Sequence, residues 1–182
     1  MMRRSLSSFL LTSFFVAGLA CVASDALAKP KIAAEVDFAV PVLVNGAKPG
    51  AGGALRGGYE LNVTIVHVMP EVGVGFHKLT DDGGPSIFRG FVGGRAGLGD
   101  GVRFDGFLHI GYGNIAYGAT PVGGGDSSFA APILDGGLAL DFTLIPAIDL
   151  GIHASYNTAL NRTGTADTPR WIGLGAQLAI VF

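Results

Sequence analysis

His153 and Ser155 stand two residues apart, and Asp167 follows further along. An imidazole that takes the proton of a hydroxyl while an acid orients it is the arrangement of nucleophilic hydrolysis. The other three histidines are His67, His77 and His109. His67 and His77 are ten residues apart, and on one extended strand that is about 33 Å, too far for a shared metal ion. Asp81-Asp82-Gly83-Gly84 reads as a hairpin loop rather than a calcium site. Gly97-Leu98-Gly99-Asp100-Gly101 runs into Val102 in a tight turn, without the strand-to-helix setting of a phosphate loop. No catalytic residue, cofactor site or metal site is assigned on these motifs.

The elements that carry these groups are strands. Of the 182 residues, 49% are hydrophobic, 14% are charged and 30 are glycine, which leaves little for a fully hydrated surface. Residues 1–28 read as a cleaved secretory signal peptide: Arg3-Arg4, an apolar stretch from Phe9 to Ala23, then Ala26-Leu27-Ala28. The sole cysteine, Cys21, falls inside that leader, and Gly18-Leu19-Ala20 lacks the leucine expected three positions before a lipidated cysteine. Residues 29–182 then form one domain with ten Lys/Arg against thirteen Asp/Glu, a net charge of −3, and nucleic acid is not an expected partner.

Alternation of apolar and polar residues dominates the mature chain, the period of a strand with two unlike faces. The first run carries Ala34, Val36, Phe38, Val40 and Val42 on one face, with Glu35 and Asp37 on the other. It breaks in a Gly/Pro/Asn-rich loop from Asn45 to Gly53. Seven more runs follow, near 54–63, 66–78, 87–97, 102–114, 131–142, 147–157 and 170–182. The connections alternate between long and polar (near 44–53, 79–86, 115–130 and 158–169) and tight (near 64, 99 and 145). That rhythm predicts an all-β fold, an eight-stranded antiparallel up-and-down transmembrane β-barrel.

Alternation does not say which face points inward, since a secreted soluble barrel for an apolar ligand hides its apolar face. The aromatic residues decide it. Phe104, Phe142 and Phe182 fall near the short-turn rim, and Phe76, Phe88, Tyr112 and Tyr156 near the long-loop rim, as two membrane girdles would. Phe182 follows Leu178 and Ile180 of the same parity. These three resemble the C-terminal assembly signal of bacterial outer-membrane proteins. As an architecture, the mature chain resembles the small eight-stranded outer-membrane barrels related to the OmpA transmembrane domain. The resemblance implies residence in the bacterial outer membrane, contact with its lipid and insertion by the barrel-assembly machinery, and names no activity or surface partner.

The opposite face holds Glu35, Asp37, Arg56, Glu60, His67, Glu71, His77, Arg89, Arg95, Arg103, Asp105, His109, Asp135, Asp141, Asp149 and His153. Symmetric pairing about each connection predicts one tilted lumen belt of Asp37, Glu60, Glu71, Arg95, Asp105, Asp141, Asp149 and Gln177, with Arg103 one step away and Arg56 too distant to help. Six carboxylates around one arginine cannot all stay ionised in a low-dielectric lumen, so some should be protonated or hold a cation or ordered water. Above the belt, His109 is expected beside Asp135 and His77 beside Arg89, with Gly73, Gly75, Gly93, Gly111, Gly113, Gly137 and Gly151 making room.

The His153-Ala154-Ser155 segment with Asp167 resembles the His-x-Ser…Glu arrangement of outer-membrane lipid A deacylases. It departs from that family in having aspartate for glutamate and in the parity that turns His153 and Ser155 into the lumen, where the family's site faces lipid. The expected function is a non-enzymatic integral outer-membrane protein, an anchor or surface-interaction scaffold. The alternatives are a lipid-active enzyme, a narrow channel and the soluble carrier. The sequons at Asn62 and Asn161 carry no assigned role.

Overall fold

A computed structural model describes residues 28–42, 48–80, 84–118, 128–160 and 168–182. The leader through Leu27 with Cys21, the Asp81-Asp82-Gly83 stretch, the Asn161 sequon and Asp167 lie outside the described residues. Eight strands follow in order: β1 (Ala28–Pro41), β2 (Gly50–Val63), β3 (Val66–Lys78), β4 (Pro85–Asp100), β5 (Val102–Tyr117), β6 (Ser128–Ile145), β7 (Ile148–Ala159) and β8 (Arg170–Val181). Each pairs antiparallel with the next, and β8 closes on β1, giving a closed up-and-down barrel. Closure satisfies every strand edge, which hydrocarbon demands.

Several strands outrun the bounds that alternation predicts. Gly50, Ala51, Gly52 and Gly53 lie opposite Ala39, Phe38, Asp37 and Val36, within a stretch expected to be loop. Backbone pairing needs no side chain, so a glycine-rich strand gives no alternation signal. A Cβ at Gly52 would sit 2.2 Å from the His77 ring, so the absence of a side chain there is required for packing. Ala28, placed last in the expected leader, is the first residue of β1 and lies opposite Leu61.

Short turns close the other end. Thr64 and Ile65 link β2 to β3, with Thr64 at a φ of 58°. Gly101, at a φ of 76°, alone separates β4 from β5. Left-handed backbone is what glycine supplies at least cost; Gly99 and Gly101 adopt it, and a Cβ at Gly97 would collide with Asp105, so the run is accounted for without a phosphate. Pro146 and Ala147 turn β6 into β7 after an irregularity between Thr143 and Ile145.

The two faces divide sharply. Val36, Val72, Val92, Leu108, Ile110, Leu138 and Ile152 are all exposed on the outside. Phe104, Phe142 and Phe182 are exposed toward the short turns, and Phe76, Phe88, Tyr112 and Tyr156 toward the long connections. Leu178 and Ile180 share this outer face with Phe182. Lys31, Arg56, Arg89, Arg95 and Arg103 are buried inside. This is the inverse of a soluble barrel, and no aqueous solvent stabilises such an exterior.

Candidate functional site

Eight strands enclose only enough space for side chains, and the lumen is filled in tiers. Nearest the short turns, Lys31 Nζ lies 2.8 Å from Asp149, 3.3 Å from Glu60 and 3.9 Å from Asp141. Arg103 donates to Glu60 at 3.2 Å and also bonds Asp149. Asn62 and Thr143 complete this tier by donating to Glu60 at 3.0 Å and to Asp149 at 2.8 Å. Five strands, β1, β2, β5, β6 and β7, are joined through two cations.

The middle tier centres on two arginines. Arg56 donates through Nε to Glu35 at 2.6 Å, through Nη2 to Gln177 at 2.7 Å, and through Nη1 to Glu71. Arg95 lies 3.5 Å from Asp105 and 3.8 Å from each of Glu35, Glu71 and Asp141, with its guanidinium over the Phe107 ring at 5.1 Å. Gln177 donates to Asp141, and His67 pairs with Asp105. Planar, many-donor guanidinium groups suit such multi-carboxylate contacts.

Above them, His109 bridges Asp135 at 2.9 Å and Glu71 at 2.6 Å, and Arg89 donates to the other Asp135 oxygen at 2.8 Å. Asp37 stands apart between two histidines, His77 at 3.0 Å and His153. The long-loop mouth is shut by an apolar tier of Ala39, Leu79, Ile87, Ile115, Ala131, Ile133, Ala159 and Trp171, with Tyr117 and Phe129 packed on it. The His77 and Trp171 rings meet at 5.4 Å, where the apolar tier joins the polar network.

The belt expected from sequence is therefore not one ring. Glu71, Arg95, Asp105, Asp141 and Gln177 come together; Glu60 and Asp149 belong to the Lys31 tier, and Asp37 to the histidine pair. Register departs from the symmetric expectation, most at the first connection, where Asp37 lies opposite Gly52, eight residues from Glu60. Glu71 lies opposite Gly93, Arg95 opposite Phe107, Arg103 opposite Asp141 and Gly151 opposite Gln177, each two residues from the symmetric expectation. Opposite Gln177 on β1 is Glu35, in the place expected for Asp37.

Three further expectations are corrected. Arg56 is central, because a guanidinium on a long stem reaches beyond its own row. The belt is not under-neutralised: Lys31, Arg56, Arg103 and the histidines give each of the six carboxylates a cationic or imidazole neighbour. His77 is not beside Arg89, which faces Gly75 in register and bonds Asp135 instead. Lys31 was missed altogether, although its parity with Glu35 and Asp37 placed it inward. The expected His109–Asp135 contact is present at 2.9 Å.

His153 and Ser155 both line the lumen. His153 Nε2 is held by Asp37, and Ser155 Oγ accepts from Asn157 at 2.9 Å. The cavity they border measures about 20 Å³, water-sized and far below the volume of an acyl chain. Among the described residues, no group of three His, Cys, Asp or Glu side chains is placed to hold a metal ion.

No family model and no curated protein matches the chain. Solved structures do. Neisserial surface protein A superposes with a TM-score of 0.65 at 14% identity, over 84% of this chain and 97% of that one. Ail, the attachment invasion locus protein of Yersinia pestis, gives 0.51 at 18% identity, over 85% and 97%. The outer membrane enzyme PagL gives 0.50 at 15% identity, over 81% and 97%. At such identities the likeness is one of fold, and the fold is that of the small eight-stranded outer-membrane barrels.

Proposed function

We propose that the protein is a non-enzymatic anchor of the bacterial outer membrane, a rigid barrel that holds its long connections at the surface for contact with a partner. The observation that carries this reading is the filled lumen: ion-paired tiers beneath an apolar tier, with a cavity of only about 20 Å³ bordered by His153 and Ser155. Among the described residues, side chains packed this way leave no lumenal room for a lipid substrate and no open path for hydrated ions. The apolar exterior with aromatic rims supports contact with membrane lipid and delivery by the barrel-assembly machinery. Loops on a stiff scaffold are the usual place for recognition, and Ail, whose name refers to attachment, has a similar scaffold.

The test combines location with activity. Cells producing the protein are fractionated, and the outer-membrane pool is run on SDS gels with and without boiling. The expected result is a membrane-bound species that migrates faster unboiled and shows no lipid A hydrolysis. Hydrolysis abolished by Ser155→Ala would replace this reading with a lipid-active enzyme. A soluble species with no mobility shift would remove it altogether.

A further inference from the structure

The upper lumen holds two hydrogen-bonded clusters that share no direct bond. One is Arg89–Asp135–His109 on β4, β5 and β6, and the other is His77–Asp37–His153 on β1, β3 and β7. The cavity of about 20 Å³ is lined by members of both, including Asp37, Arg89, His109, Asp135 and His153, together with Asn157. Three of its lining residues each carry a buried polar atom with no hydrogen-bond partner among the described residues: Arg89 Nε, His153 Nδ1 and Asn157 Oδ1.

From this convergence we infer that the cavity is a specific site for one water molecule, which joins the two clusters into a single hydrogen-bonded layer. The volume of about 20 Å³ exceeds the ~10–15 Å³ that a water needs and is too small for an organic ligand. The chemistry selects the occupant as well. Arg89 Nε–H is a donor, and Asn157 Oδ1 is an acceptor. His153 Nδ1 is an acceptor in the neutral tautomer whose Nε2–H faces Asp37. A metal cation is repelled by the guanidinium, and an anion by the amide oxygen and the neighbouring carboxylates. A water accepts from Arg89 and donates to the other two, making the three bonds typical of a buried water. The bridge ties β4 to β7 across the lumen, where no direct side-chain bond does so. It does not depend on the scaffold role, since a barrel with no surface partner would hold the same water.

The test is a crystal structure of the full-length mature protein at a resolution that orders water, together with Ala54→Val, which projects methyl groups into the same cavity. The expected result is density for one water within about 3.2 Å of Arg89 Nε, His153 Nδ1 and Asn157 Oδ1. Ala54→Val should expel it and lower the temperature at which the fast-migrating unboiled form is lost, because the polar atoms lose their bridge. An empty cavity in the wild-type crystal overturns the inference. So does a higher conversion temperature for Ala54→Val, the sign of filling a dry void. If the variant fails to assemble, the wild-type density decides alone.

Discussion

Arg56 on β2 donates to Gln177 on β8 at 2.7 Å, and the same guanidinium holds Glu35 of β1 at 2.6 Å. The seam where the last strand meets the first is therefore clasped from inside by a third strand. Glu35 and Gln177 lie opposite each other across that seam, so both sides of the join share one cation. Arg56→Ala leaves Glu35 and Glu71 without their nearest guanidinium. Truncating one partner of a buried ion network costs about 3–5 kcal/mol. The temperature at which the unboiled protein changes to the slow-migrating form should drop markedly, and Arg56→Lys should recover only part of it, since an ammonium lacks the planar fork. An unchanged conversion temperature for Arg56→Ala would show that the seam does not need the clasp.

Lys31 works similarly nearer the short turns, between Asp149 at 2.8 Å and Glu60 at 3.3 Å. Lys31→Met strands two carboxylates that share Arg103 as their remaining cation. We expect a loss of stability that Asp149→Asn, added in the same chain, partly restores. A double-mutant cycle in urea measures this coupling, and additive losses would mean that Lys31 and Asp149 do not act together.

Trp171 is the chain's single tryptophan and is fully buried in the apolar tier. Its fluorescence in the folded state should be blue-shifted and poorly quenched by aqueous acrylamide, and unfolding should reverse both. Trp171→Ala opens a void in that tier, with an expected cost of about 3–5 kcal/mol. Ready quenching of the folded protein would place Trp171 in water and remove the apolar seal.

Leu108 projects outward from β5 with 61% of its surface exposed. Arginine placed deep in the lipid-facing band of a membrane barrel costs about 2–4 kcal/mol. Leu108→Arg should therefore destabilise the barrel reconstituted in bilayers by an amount of that order, read from urea titrations. A neutral effect would mean that this face meets water.

The strand count, the alternation and the choice of faces were legible because each strand separates lipid from lumen residue by residue. Val72 and Val74 point out while Glu71 and His77 point in, and sequence shows that directly. Register was not legible, because symmetric pairing about a connection cannot see how far a glycine-rich segment such as Gly50–Gly53 continues the strand. Asp37 therefore lies opposite Gly52, eight residues from Glu60, and the two-residue offsets on the later strands carry Asp149 away from Arg95. Reach was also hidden: Lys31 and Arg56 act several ångströms from their own Cα rows, and no one-dimensional pattern reports that. The apolar tier had a signal that was left unused. Ile87, Ile115, Ile133 and Trp171 share parity with Arg89, His109, Asp135 and Gln177, which already marked them as inward.

Single-channel recording probes the filled lumen itself. The refolded, heat-modifiable protein is inserted in planar bilayers in 1 M salt, an ionic strength at which even a narrow water path conducts (the Debye length there is about 3 Å). The ion-paired tiers and the apolar tier of Trp171, Ile87, Ile115 and Ile133 predict a flat trace at all moderate voltages. Reproducible unitary steps from the wild-type protein would contradict it, and would mean that the tiers part to leave a continuous aqueous path.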